Sequence, residues 1–383
     1  MTSQTRIAVI GGGAAGLSLA LKFLSRGCEV SIYDPKVGSG ASNVAAGMLA
    51  PASEANFDEP FLADLMEKAS RYWGSFAAEI ADLAGIPIGY QPTGTIVFGA
   101  DSGDLAYLER ASNYLISRGV SVQPLTLRER RKIEPLLSPD IAGASFISGD
   151  HQVNNRQFLR ALTMILERSG TTFIASRVSA ISELSTHVDL QCESGAEKPR
   201  SFDLCVIAAG AWSDSLFRMI DRSDIATQLL PVKGQILRVN ADQNYGAPSH
   251  VVRGAVNNRP VYMVPRVDQE VVVGATMEEV GFDTTQRLGA ITDILADATR
   301  VIPSIRESSL FETNFGFRPG TSDNLPLVGQ VSGTIWAHTG HFRHGILVSP
   351  FTADALDRAI FNDSPPDWLK ETTPNRFKLE VLN

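Results

Sequence analysis

Ile7–Ile10 is an unbroken apolar run that stops on glycine, and the spacing of apolar residues changes after it. Such a run fits a short strand covered on both faces. Leu17, Leu21 and Leu24 then recur at helical spacing until Gly27, and Glu29–Tyr33 reads as a second strand. Helical spacing returns over residues 61–84, through Leu62, Leu65, Met66, Ala69, Tyr72, Phe76, Ile80 and Leu83. It returns again at Phe158, Leu159, Leu162 and Leu166, behind Asn154 or Asn155 as an N-cap. A last helix is predicted from Ile346 through Leu347, Phe351, Ala355, Leu356 and Ile360, with Pro350 tolerable only in its first turn. Residues 86–147 and 226–317 alternate more and are expected to be β-rich. Within them Tyr262 faces opposite to Val261 and Met263, on a strand that turns at 267–269 and returns along Val271–Ala275. Asp363–Pro366 is expected to end the ordered core.

The chain has 383 residues, enough for two cores. A net charge of −8 argues against a phosphate-tracking nucleic-acid surface, so Arg128, Arg130, Arg131 and Lys132 read as a solvated helix face. Cys28, Cys192 and Cys205 are far apart and form no CxxC pair, which points away from a zinc site or disulfide framework and toward a cytoplasmic setting. Ile7–Leu21 is too short and too interrupted by glycine to be an integral membrane segment.

The first strand, helix and strand carry GxGxxG at Gly11, Gly13 and Gly16, ending on Asp34. Gly11 permits the tight turn, Gly13 the approach of a pyrophosphate, and Gly16 close helix–strand packing. The amides at Ala14 and Ala15 open the helix toward the phosphates, and Asp34 is placed to receive a ribose diol. Two later stretches favour FAD over a nicotinamide cofactor. One is the small-residue run Gly38–Pro51; the other is Phe202–Ser213, an apolar strand running into Ala208, Ala209 and Gly210. A dinucleotide domain drawing strands from such distant segments is unlike a nicotinamide domain completed early in the chain.

These motifs, with AAGMLAP, PVKGQ (Pro231–Gln235), YMVPR (Tyr262–Arg266), GFRPGTSDNLPLVG (Gly316–Gly329) and GHFRHGILVSP, resemble the D-amino-acid-oxidase superfamily, nearest to the glycine oxidase group associated with thiamine biosynthesis. The resemblance runs in order over nearly the whole chain. It implies an α/β fold: a Rossmann-like FAD-binding domain (1–85, 148–225 and 318–383) with an interleaved, mixed-sheet β-rich substrate domain (86–147 and 226–317). It implies that Arg318 and Tyr262 hold a substrate carboxylate, with Arg343 near the reacting face and Met277 and Met48 lining the pocket. It places Ser42, Asn43, Ala46, Gly47, Met48, Val178, Ala209, Gly210, Trp212, Arg318, His341, Arg343, His344, Gly345 and Ile346 against FAD, beside the motif residues. Pro260 departs from relatives that can carry a polar His there.

His338, His341 and His344 crowd into one loop, half of the six histidines in the chain. Gly340 interrupts them and no carboxylate or cysteine lies close in sequence, so a metal role is disfavoured and they read as the wall of a cofactor pocket. The implied reaction is hydride transfer from the Cα of glycine, or a related small amino acid or N-substituted glycine, to flavin N5. The imine hydrolyses to a keto acid (glyoxylate) and ammonia or an amine, and dioxygen or another acceptor takes the electrons, as hydrogen peroxide in the first case. No cysteine lies near the C-terminal loop, so FAD is expected to be non-covalent, and a homo-oligomer is implied. Sarcosine or D-amino-acid oxidases or dehydrogenases remain open. So do a 2-hydroxy-acid dehydrogenase with His341 as base and a scaffold that holds FAD without turnover.

Overall fold

In a computed structural model, residues 4–193 and 199–377 are described, and two sheets organise them. The six-stranded sheet runs 327–330, 335–339, 204–207, 6–10, 29–33, 172–174. Its strands pair in parallel except for the 327–330 edge, which returns antiparallel along 335–339. Alternation explains the unbroken apolar run of its central strand. Ile7 and Val9 join the core beneath the Ala14–Ser25, Pro60–Ala84, Asn155–Arg168 and Gly345–Ile360 helices, whereas Ala8 and Ile10 face a second core with Phe217 and Ile335.

The eight-stranded sheet runs 309–321, 229–240, 270–274, 259–265, 251–256, 95–99, 143–147, 123–125. Of its pairings, 251–256 with 95–99 is parallel and the others are antiparallel. The Tyr262 hairpin forms as the alternation predicts, with Tyr262 opposite Gly274. Val261 and Met263 pack into the core under the Leu288–Val301 helix, and Tyr262 packs on the other face with Val44, Ala46 and Met48. That second face looks toward the first sheet.

Four expectations need correction. The 86–147 segment is not simply β-rich: Ser102–Ser117 is a helix, started by Asp101, whose side chain accepts from the Gly103 and Asp104 amides. In Pro60–Ala84 the buried stripe runs through Trp73, while Leu83, one position off it, is exposed. Pro350 lies inside Gly345–Ile360 rather than in its first turn, and Trp73 Nε1 donates to the Leu347 carbonyl beside it at 2.8 Å. Past Asp363–Pro366 the chain still packs, Trp368 stacking on Phe351 and Arg376 pairing with Asp323 at 2.7 Å; residues 378–383 lie outside the described residues. Asn154, not Asn155, is the N-cap. Among the described residues no helix is long and apolar enough to cross a membrane.

Candidate active site

A cavity of about 780 Å³ runs between the two sheets. At one end are the first strand, the helix after it, and Asp34. Gly11 sits at φ +120°, where side chains are rarely accommodated, and a Cβ there would come within 3.0 Å of the Ala208 carbonyl. The two parallel strands end side by side here, so only a bare backbone fits. Gly16 is out of the cavity, pressed against the Gly11 carbonyl, which is the packing task its place in the motif implies. Gly13, Ala14 and Ala15 line the wall at the helix N-terminus, and Ser42 Oγ receives the Ala14 amide at 3.1 Å. Asp34 accepts the Gly12 amide at 2.7 Å and the Lys36 amide at 2.8 Å, which orients the carboxylate at the cavity edge.

Ala46, Gly47, Met48, Val178, Ala209, Gly210 and Trp212 line the middle of the cavity. Asn43 does not: it belongs to the support behind, its carbonyl taking the Asn155 side-chain amide at 2.9 Å. The far end carries Arg318, Tyr262, His341, Arg343, His344, Gly345 and Ile346. Met277 is absent from it. The strand ends at Gly274, and two residues later the Thr276 carbonyl turns in to accept from Arg318 at 3.1 Å, leaving the Met277 side chain 57% exposed.

Arg318 and Tyr262 owe their positions to two glycines. A Cβ at Gly234 would fall within 3.0 Å of the Arg318 guanidinium, and one at Gly274 would meet the Tyr262 hydroxyl as closely. The Tyr262 hydroxyl stands close to the guanidinium; desolvation draws the Arg318 pKa below the usual range, against the pull of that tyrosine. Desolvation also raises the Tyr262 pKa, keeping the phenol a proton donor.

Sequence reasoning missed Glu54. It ion-pairs with Arg253 at 2.7 Å and with Arg343 at 3.3 Å, on the cavity wall. Burial alone would raise its pKa, but Arg253, then Arg343, His344 and Arg318, hold it down at about 2. Its one signal in sequence is an acid inside the small-residue run after AAGMLAP; for Arg253 it is a charge inside an apolar strand.

The three histidines follow one another out of the sheet: His338 is the penultimate residue of the 335–339 strand, His341 precedes a short 3₁₀ turn, and His344 closes that turn and caps the last helix. His338 Nδ1 lies 3.1 Å from the Ala15 carbonyl and Nε2 lies 2.9 Å from Thr352 Oγ1; His341 Nε2 lies 3.1 Å from the same hydroxyl. A carbonyl can only accept, so His338 carries its proton on Nδ1 and takes the Thr352 proton at Nε2. His341 then donates from Nε2. Burial lowers His338 to about 3 and His344 to about 4, and lowers His341 well below its ordinary range. All three are neutral imidazoles.

A stability prediction follows. The folded pKa of His344 lies near 4 against an ordinary value of 6.5, so between these the unfolded chain binds more protons. The stabilisation from neutral burial is complete above pH 6.5 and drains away as pH falls toward 4. The melting temperature should fall over that window, and His344→Gln should flatten the slope in a pH series of thermal melts. An unchanged slope would refute the assignment.

The cavity fits a dinucleotide: amides and an acid at one end, small residues along its length, and a buried Ser349 hydroxyl on its wall that meets no hydrogen-bond partner among the described residues. The profile of a family described as DAO, FAD dependent oxidoreductase, matches residues 6–359. Glycine oxidase of Geobacillus kaustophilus is 30% identical over 369 residues, covering 94% of each chain. The crystal structure of glycine oxidase from the same organism superposes with a TM-score of 0.88 at 28% identity, covering 97% of this chain and 99% of that one. The bifunctional protein ThiO/ThiG of Trichormus variabilis is 28% identical over 98% of this chain, which spans only about half of that relative, 55% of its length. Iminodiacetate oxidase from Chelativorans sp. BNC1 superposes with a TM-score of 0.84 at 25% identity, covering 96% of this chain and 99% of that one.

Proposed function

The chain belongs to the DAO family of FAD-dependent oxidoreductases, and we propose that it oxidises the C–N bond of glycine or an N-substituted glycine. The observation that carries this is the Arg318–Tyr262 pair, a planar cation and a hydroxyl donor set at the opposite end of the cavity from the glycine-helix cradle. The names of two relatives, glycine oxidase and iminodiacetate oxidase, support the substrate class.

In this reading Arg318 receives the substrate carboxylate and Tyr262 donates its proton to the same group. That anchors one end of a small molecule and leaves its Cα–H free to be aimed, which is where the rate gain of such a site lies. FAD, when bound, supplies the acceptor for the two electrons and passes them to dioxygen or another acceptor. Gly13, Ala14 and Ala15 would hold its pyrophosphate, Asp34 its ribose, and the last helix the flavin end. The substrate loses a hydride from Cα and a proton from nitrogen to become an imine; water adds, and ammonia or a primary amine leaves. No buried base is required if the amine reacts unprotonated. The neutral His341, its pKa driven down by burial, is a poor proton acceptor for the hydroxyl of a 2-hydroxy acid. The six-stranded sheet with its helices would be the cofactor domain and the eight-stranded sheet the substrate domain.

Anaerobic mixing of the yellow holoprotein with glycine, sarcosine or D-alanine tests this by bleaching of the visible flavin band. Failure of every small amine to bleach it would overturn the reading. Gly234→Ala should raise the concentration giving half-maximal bleaching rate by about tenfold, because the Cβ displaces the guanidinium above it. An unchanged value would mean that the guanidinium does not bind substrate from this position.

A further inference from the structure

The cavity wall beside Tyr262 contains a curl of backbone that is gripped from behind. Ala46, Gly47 and Met48 line the cavity, and Ala46 and Met48 share an apolar cluster with Tyr262. The Ala46 carbonyl accepts from the Arg266 guanidinium at 2.6 Å, and the Gly47 carbonyl accepts from the Val153 amide at 2.9 Å. Arg266 and Val153 both stand behind the cavity wall, so the two carbonyls point away from the cavity. The N–H of a trans peptide points opposite to its C=O, so the Gly47 and Met48 amides are turned toward the cavity. Two successive carbonyls on one side need a curled residue between them, which Gly47 supplies at φ +74°. A Cβ there would come within 3.0 Å of the Val153 carbonyl. Paired amides of this kind make a concavity for an acceptor that carries negative charge.

The Val153 grip is a backbone contact of the kind neighbouring strands make, but the Arg266 grip is not. Arg266 is buried, and its hydrogen bonds go to neutral acceptors: the Ala46 carbonyl, Gln152 Oε1 at 2.8 Å and Asn155 Oδ1 at 3.4 Å. The charges around it are already in pairs. Arg238 pairs with Glu270 and Arg156 with Glu312, while Asp268 and Glu270 attract Arg266 at longer range. Desolvation, then Arg238, lowers the Arg266 pKa to about 10, so it remains a cation at neutral pH. A buried guanidinium is a costly way to satisfy one carbonyl. What it adds over a neutral donor is a charge-assisted bond that polarises the peptide and strengthens the N–H at its other end.

We infer that Arg266 is a positioning residue for electron acceptance: it holds and polarises the Ala46–Gly47 peptide so that the Gly47 amide, with that of Met48 beside it, donates to the flavin ring. A ring that takes a hydride from a substrate held by Arg318 and Tyr262 must lie against this stretch. The two donors then favour the ring as it gains negative charge. The inference rests on the carboxylate-clamp reading for the placement of the ring, but not on which amine is oxidised.

The test is two-electron reduction of the holoenzyme, equilibrated anaerobically against a reference dye, which needs no substrate. Arg266→Met should lower the equilibrium constant for reduction at least tenfold, a fall of about 30 mV for a two-electron couple. Arg266→Lys, with one ammonium for three acceptors, should lose less. Arg156→Met removes a neighbouring cation that grips the Asn43 carbonyl at 3.3 Å, and should stay within about twofold of wild type, because Asn43 is off the cavity wall. A flavin-loaded Arg266→Met protein within about threefold of wild type, or an equal loss in Arg156→Met, would overturn the inference. If Arg266→Met fails to retain FAD, Gln152→Leu decides: it frees the guanidinium to turn without removing it, and should shift the constant about threefold in the same direction. No shift in that variant would also overturn the inference. Failure of every small amine to bleach the flavin would leave these constants measurable, so the two readings fail separately.

Discussion

Arg318→Leu should lower kcat/KM for a small amino-acid substrate by about a thousandfold, on the order of 4 kcal/mol, the scale for removing one member of a desolvated charge pair. Three features set the size of the loss. The guanidinium is held by the Thr276 carbonyl at 3.1 Å and the Lys233 carbonyl at 3.4 Å, so it waits in place for a carboxylate. Removing it leaves Tyr262 as a lone donor. It also takes away one of the cations that keep Glu54 ionised at about 2, so the incoming carboxylate approaches an acid with less compensation around it. Arg318→Lys keeps the charge but loses the fork, and should fall between the two. Rapid-mixing reduction under anaerobic conditions reads the effect as a higher substrate dissociation constant, with flavin content serving as the check on folding. A loss of less than tenfold for Arg318→Leu would remove the carboxylate clamp from the mechanism.

Local pattern exposed the glycine-motif end of the cavity and hid much of the Arg318 end, for a physical reason. GxGxxG, the strand before it and Asp34 lie within one continuous stretch of chain, so their spacing encodes their geometry. The Tyr262 hairpin was equally readable because alternation fixes which side chain faces which core. The Arg318 end of the cavity is assembled from the loop at Glu54, backed by Arg253 of a neighbouring strand, the strand at Arg318 and the turn at Arg343. No periodicity links those positions, and the balance of their charges exists only once they meet. Met277, which the resemblance implied as pocket lining, lies outside the cavity: the Thr276 carbonyl before it turns in toward Arg318 and the Met277 side chain is exposed. Two further misses were local: Asp101 starts a helix that the alternating pattern concealed, and Trp73 takes the buried stripe past Leu83. The histidine loop lines the cavity, and the hydroxyl that His338 and His341 share, on Thr352, lies too far along the next helix for sequence to single out.

Gly11→Ala should abolish stable FAD binding, leaving a colourless protein or reducing affinity by at least a hundredfold. Positive φ at this position is only part of the cost. Gly27 has a positive φ too, +78°, but a Cβ there would find nothing within 4 Å, whereas the Cβ at Gly11, with φ +120°, would overlap the Ala208 carbonyl. Gly27→Ala should therefore cost about 1 kcal/mol of stability and leave the protein yellow. Relief of the overlap at Gly11 has no cheap direction. The Ile10–Ile207 pairing ties the two strands together at that level, and both are central in the sheet. Moving the Ala208–Gly210 turn instead would shift one wall of the cavity, and moving Gly11 would shift the helix N-terminus whose amides await the pyrophosphate. The ratio of flavin to protein absorbance after reconstitution with excess FAD, together with melting temperatures of both variants, separates the two contributions. Equal flavin content in the two variants would show that the close approach of strand ends is not what shapes the cofactor cradle, and the assignment of that end of the cavity would have to be abandoned.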